Sequence, residues 1–254
     1  SAQNCWPDQE IANIVGKNRA AGLVMSNISV ESYEPGKVSR PGHSRMRDMG
    51  HDVFRLGLHH KEETKEQEKI RKELEKIRRA LDVIDSSVIT ENLWGERWAK
   101  LCQNCMGNPV VAMSNLGTAE LAGDEVCRKL QINLAREAAE IGGKLGLDFD
   151  KFGGASTDKW LQSVDKDIYL ELDTMIKKRS NGPNRRPSMG QDIHRGRKTE
   201  ILHMSGHVLA EARALKIDLP YTKKTMEIII QIDSGIIQPS VDNVYTIINS
   251  LANV

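Results

Sequence analysis

WGERWAKLCQNCMGNPVVAMS, residues Trp94–Ser114, divides the chain. Before it, residues up to about Asn92 mix strand-like and helix-like patterns. After it, long helical segments run almost to the end with no convincing strand. They cover Gly123–Leu145, Asp158–Lys178, Met189–Arg197, Thr199–Leu215, Lys223–Ser234 and Ser240–Leu251. Within the dividing helix, Lys100, Asn104 and Asn108 stand at i, i+4 and i+8 and therefore share one face. An ammonium and two amides surrounded by Trp98, Leu101, Cys102, Cys105 and Met106 are odd for a solvent face. They read either as a half-exposed polar stripe or as the wall of a cleft that supplies their hydrogen-bond partners.

Working upstream, Asp8–Lys17 reads as a short helix, Leu23–Val30 as a strand and Glu34-Pro35-Gly36 as a turn. Ser39–Gly50 reads as a loop, and Asp52–Leu58 alternates as a half-buried strand does. Lys61–Ala80 is a charged helix whose sparse stripe continues as Ile70, Leu74, Ile77 and Leu81. Val83-Ile84 and Val88-Ile89 read as extended segments. The expected architecture is an α/β piece over residues 1–93 followed by an all-α domain over residues 94–254.

Composition narrows the function classes. Lys plus Arg is 36 and Asp plus Glu is 35, a mixed balance that points to neither nucleic acid nor an acidic membrane. No apolar run approaches the ~20 residues that span a bilayer, and the first residues lack the pattern of a signal peptide. A cytoplasmic protein is expected. The four cysteines, Cys5, Cys102, Cys105 and Cys127, are too few for a disulfide framework. Cys102 and Cys105 form a CxxC with no second pair to complete a zinc site, so they read as reduced helix cysteines and no metal site is expected.

A second constellation lies at Pro187–Ile201. Ser188 and Gln191 have capping-box spacing, so the Ser188 hydroxyl is either an N-cap or, beside free N–H groups, part of an anion site. Thr199 is placed to cap the next helix, with Glu200 in its first turn, where a carboxylate suits the helix dipole. Arg179–Pro187 reads as a flexible, exposed basic loop, with contact to a phosphate as the lesser reading.

Together these motifs resemble the ketopantoate reductase (2-dehydropantoate 2-reductase) family. WAKLCQNCMGNPVVAM is similar to its W-x-K-x-x-x-N-x-x-x-N-P helix, and PSMGQDIHRGRKTEI to its S-M-x-x-D-x-x-x-G-R-x-T-E-I signature. SAQNC resembles the S-x-Q-N-G that ends a strand of the family's dinucleotide domain. HDVFRLG, AGDEVCRKL and Lys216–Pro220 also fit, in the right order. The resemblance implies a remnant of a Rossmann-type domain followed by an all-α domain of the 6-phosphogluconate dehydrogenase C-terminal type. It implies NADP-dependent reduction of 2-dehydropantoate, or a related 2-oxo acid, in pantothenate biosynthesis. On this resemblance Lys100 is the general acid at the ketone oxygen, Glu200 binds the substrate hydroxyl, and Asn104, Asn108 and Ser188 hold its polar groups. Asn4 lies near the nicotinamide. A homodimer through the helical domain is expected.

Three departures qualify this reading, the first being that the segment between Gly153 and Pro187 is long and basic, which implies a different pocket rim. Cys5-Trp6 stands where the family carries a glycine, and no G-x-G-x-x-G occurs anywhere. The sequence therefore reads as a fragment or one part of a split enzyme, with a companion chain carrying the glycine half. The alternative is a non-catalytic binding or assembly module that kept the helical domain.

Overall fold

The computed structural model describes residues 7–26, 30–40, 48, 52–58 and 65–251. The chain divides into two compact units, Ser1–Lys100 and Leu101–Val254.

The first unit opens with α1 (Pro7–Val15) and a 3-10 turn at Lys17–Arg19, then β1 (Ala21–Met25). A hairpin of β2 (Glu31–Glu34) and β3 (Lys37–Ser39) forms across the expected turn, where Gly36 adopts φ 75°. The sheet proper is β1, β4 (Phe54–Leu58) and β5 (Ser87–Ile89), in the order β1-β4-β5. β1 runs antiparallel to β4 and β5 runs parallel to it. The parallel pair is joined by α2 (Lys65–Asp82), as parallel strands require a crossover. Val53, Phe54, Leu56 and Leu74 form the core, with Ile70 and Leu81 of α2 packed on it. Ile77 does not follow the expected stripe and is 49 % exposed. α2 also corrects the reading of Val83-Ile84: the helix ends there in a turn, with the Ile84 N–H bonded to the Leu81 carbonyl, rather than in an extended segment.

Gly22 and Gly57 are paired in register across β1 and β4. A Cβ on Gly22 would lie 2.5 Å from Leu93 Cδ2 and Arg97 Nη2, and one on Gly57 would lie 2.8 Å from Leu93 Cβ. The two glycines thus let the first turns of α3 (Leu93–Ser114) rest on the strand backbones.

In the second unit α4 (Thr118–Gly123), α6 (Thr157–Leu161), α7 (Lys166–Lys177), α9 (Ser205–Leu215), α10 (Pro220–Asp233) and α11 (Val241–Leu251) pack around α5 (Glu125–Lys144). Burial of α5 on nearly every side explains its run of Leu130, Ile132, Leu134, Ala135, Ala138 and Ile141. Two short strands, β6 (Lys151–Phe152) and β7 (Ala155–Ser156), pair antiparallel. They correct the expectation that no strand follows Trp94; Gly153 and Gly154, both with positive φ, form their turn. Phe152 stacks on Trp160 with centroids 5.4 Å apart, and Trp160 Nε1 donates to the Phe152 carbonyl at 3.0 Å.

The expected single helix over Asp158–Lys178 is two, because Asp165 accepts from the Asp167 and Ile168 N–H groups and starts α7 afresh. The basic segment after α7 is not a loose loop. It makes a 3-10 turn at Lys178–Asn181, and Asn184 Oδ1 then accepts from the Ala119 N–H at 3.0 Å. Arg185 exchanges bonds with Thr118, and Arg186 Nη1 donates to Asn115 Oδ1 at 2.8 Å.

Candidate active site

α3 carries the first group of expected residues. Lys100 and Asn104 are half-buried, and Asn108 is 8 % exposed. Lys100 ends the first unit, while Asn104 and Asn108 lie in the second. Asn104 and Asn108 line a cleft of about 160 Å³, with Thr118, Gln131, Arg179 and Pro187 on its other walls.

Ser188 and Glu200 come together in the second unit. Ser188 is the first residue of α8 (Ser188–His194), and Pro187 takes the N-cap place without a side-chain cap. The Ser188 hydroxyl therefore does not cap. It donates to Glu200 Oε1 over a long 3.4 Å, and both residues are exposed. Gln191 Nε2 turns back to the Arg186 carbonyl at 2.8 Å, so the expected capping box is absent.

Glu200 also departs from its expected place. It precedes a 3-10 turn at Ile201–His203, and α9 starts later, at Ser205. Thr199 is held from α10: its hydroxyl donates to Asp233 Oδ2 at 2.7 Å. The Thr199 hydroxyl also accepts weakly from the Ile201 N–H at 3.4 Å, the remnant of the expected cap. Asn4, with Cys5 and Trp6, lies outside the described residues.

Electrostatics distinguish the cysteines from these groups. Cys102, Cys105 and Cys127 are buried and form no disulfide. Burial pushes the Cys102 thiol well above its usual range, and burial beside Asp124 pushes Cys127 up as well. Both are protonated at neutral pH and inert as nucleophiles. Among the described residues no group of three or more His, Cys, Asp or Glu is arranged to hold a metal ion, and no helix is long and apolar enough to cross a membrane.

Sequence reasoning did not find Gln131, Arg179 or Asp233. Gln131 carried a signal, since it is polar on the face of α5 that holds Cys127, Leu130 and Leu134. Asp233 carried none, because its partner lies 34 residues away.

Residues 92–233 match the family model described as Ketopantoate reductase PanE/ApbA C terminal. The chain belongs to the ketopantoate reductase family. The matched stretch contains Lys100, Asn104, Asn108, Ser188 and Glu200. A 2-dehydropantoate 2-reductase of Pyrococcus horikoshii is 25 % identical over 132 residues, which is 52 % of this chain and 38 % of that protein. The matched stretch thus spans well under half of this ketopantoate reductase. The fold is similar to a PanE/ApbA family ketopantoate reductase from Ralstonia eutropha JMP134, with 18 % identity, a TM-score of 0.66, and coverage of 92 % of this chain and 66 % of that one. It is also similar to a D-mandelate dehydrogenase in a ternary structure with NADH and anilino(oxo)acetate, with 16 % identity, a TM-score of 0.67, and coverage of 91 % and 66 %. The small mixed sheet with its helices and the helical domain after it are therefore matched by ketopantoate reductase structures.

Proposed function

We propose that the chain forms the substrate-binding and proton-donating part of an NADP-dependent 2-oxo-acid reductase whose substrate is 2-dehydropantoate or a related branched 2-oxo acid. The observation that supports it most is α3, where an ammonium and two amides follow one another along a face inside the segment matched to the family. Reduction of a ketone leaves negative charge on oxygen. Lys100 Nζ is suited to stabilise that charge and to donate the proton. Asn104 and Asn108 offer amides to the substrate's polar groups. Ser188 and Glu200 offer a hydroxyl and a carboxylate to its far hydroxyl, with Asn4 assigned a place near the nicotinamide.

A nicotinamide cofactor supplies hydride in such a reaction. Among the described residues no glycine-rich turn joins a strand to a helix, so no cradle for its pyrophosphate is assigned to them. A companion segment bearing that turn, and a homodimer through the helical domain, belong to the same proposal, as does a cytoplasmic location.

The test uses Glu200→Ala in a protein competent for hydride transfer. A buried or substrate-covered carboxylate left without its hydroxyl partner penalises the analogue lacking it. The specificity constant on 2-dehydropantoate should fall by at least roughly 10²-fold, from a lost charged hydrogen bond plus lost positioning. The fall on a 2-oxo acid without the hydroxyl should be smaller. An equal fall on both substrates would make Glu200 structural and remove 2-dehydropantoate as the substrate.

A further inference from the structure

Gly190 is the third residue of α8 and is buried. A Cβ placed on it would lie 2.6 Å from Val111 Cγ1 of α3 and 3.9 Å from Arg186 Cβ. The first distance is shorter than side chains tolerate, so one element would have to shift. Alanine is the better helix former, and Gly190 does not adopt a positive φ, so its own conformation gives no reason for a glycine. The close approach to Val111 does. Val111 is the side that cannot yield. It is β-branched and stiff at χ1 in a helix, and Val110, Val111, Ala112 and Met113 are each no more than 1 % exposed. The side that can yield is α8, a helix of seven residues whose two ends, Ser188 and His194, are exposed. A methyl at Gly190 would therefore move α8 away from α3.

Ser188, two residues before Gly190, would move with it. Asn108 stands one turn before Val111 on α3, and it lines the same cleft as Pro187, the residue before Ser188. The Gly190–Val111 contact thus sets how near the start of α8 comes to Asn108. Glu200 is held separately, through the bonds of Thr199 to Asp233. The 3.4 Å bond from Ser188 to Glu200 therefore joins two groups with independent anchors. We infer that Gly190 is a positioning residue of the proposed substrate site: having no side chain, it lets α8 close on Val111 and holds Ser188 within reach of both Asn108 and Glu200. Gly190 does not itself line the cleft. The inference rests on the proposed function, in which Ser188 binds the far hydroxyl of the substrate.

The test compares the full chain with Gly190→Ala, and with Gly190→Ala combined with Val111→Ala, which removes the obstructing Cγ1. Hydrogen exchange across α8, read by mass spectrometry, should be faster in Gly190→Ala by about ten-fold and should return toward the wild type in the double variant. In a form competent for hydride transfer, Gly190→Ala should raise KM for 2-dehydropantoate about ten-fold, the loss of one hydrogen bond, with a smaller change in kcat. KM for a 2-oxo acid without the hydroxyl should rise less, and the double variant should recover most of the loss. A purely structural glycine would act equally on both substrates. The inference is overturned by that equal effect, by unaltered exchange in α8, or by a double variant that restores nothing. If Gly190→Ala alone does not fold, the double variant must fold with KM near the wild-type value, and its failure to do so overturns the inference as well. Exchange and folding need no turnover. An inactive wild type would therefore count against the reductase reading, while the Gly190–Val111 contact is tested separately.

Discussion

Thr199 Oγ1 donates to Asp233 Oδ2 at 2.7 Å, and the Thr199 N–H faces both oxygens of the same carboxylate at 3.2 Å. The residue before Glu200 is thereby tied to the last residue of α10. Asp233→Ala should destabilise the chain by about 1–2 kcal/mol in urea unfolding, the range for losing hydrogen bonds to a charged group from half-buried donors. In a competent enzyme it should also narrow the preference for a hydroxylated 2-oxo acid over its hydroxyl-free analogue, with Asp233→Asn restoring part of it. A loss of stability with an unaltered substrate preference would confine Asp233 to a structural role.

Lys100 is expected to act on the transition state. In a competent enzyme Lys100→Ala should lower kcat by about 10²–10⁴-fold, the usual contribution of a general acid. Turnover near the wild-type value would show that another group protonates the ketone oxygen.

Gly117 and Asn184 form a single device at the start of α4. The helix has no side-chain cap of its own at Gly117, and the Asn184 amide occupies the space where a Gly117 Cβ would stand. Asn184 instead accepts from the Ala119 N–H. Gly117→Ala should displace the Asn184 amide and so cost about 1 kcal/mol, as should Asn184→Ala, each through the lost cap. The double variant should be more stable than the sum of the two losses, because without the amide the methyl has room. Strict additivity in a double-mutant cycle would refute the shared contact.

Glu137 caps α10 from α5. Its carboxylate accepts from the Tyr221 N–H at 3.0 Å, and from the Thr222 N–H and hydroxyl at 2.7 and 2.6 Å. Burial raises its pKa above the ordinary 4.5 despite these bonds. Between 4.5 and the raised value the folded chain holds a proton that the unfolded chain has released. The contribution of this group is therefore full below pH 4.5 and lost as pH rises through the folded pKa. Denaturant midpoints measured across that window should decline less steeply in Glu137→Gln than in the wild type; superimposable pH profiles would contradict the assignment.

Tyr245 donates to Asp124 Oδ2 at 2.7 Å, which pushes its phenol up to about 12. The Tyr245 phenol should stay un-ionised through pH 11 in a spectrophotometric titration read as the difference between the wild type and Asp124→Asn, which should bring it back toward 10, the ordinary value. The sign follows the same linkage: stability associated with Tyr245 is full below pH 10 and is lost as pH rises toward the folded value.

The sequence by itself determined the change from mixed to helical structure around Trp94, the turn at Glu34–Gly36, and the shared face of Lys100, Asn104 and Asn108. Each depends on periodicity or turn chemistry within a few residues, and helical spacing alone places i, i+4 and i+8 on one side. The tertiary structure decided which partner each polar group took. Ser188 and Gln191 had the spacing of a capping box, yet the hydroxyl went to Glu200 and the amide to the Arg186 carbonyl. Thr199 looked like a helix cap and became an anchor to Asp233, 34 residues on. Asn184 caps a helix 65 residues upstream, and Gln131 and Arg179 meet on one cleft from α5 and the turn after α7. The reason is that a local motif supplies a donor and one nearby acceptor, whereas packing brings distant acceptors into competition, and each group bonds to whichever acceptor the fold holds nearest.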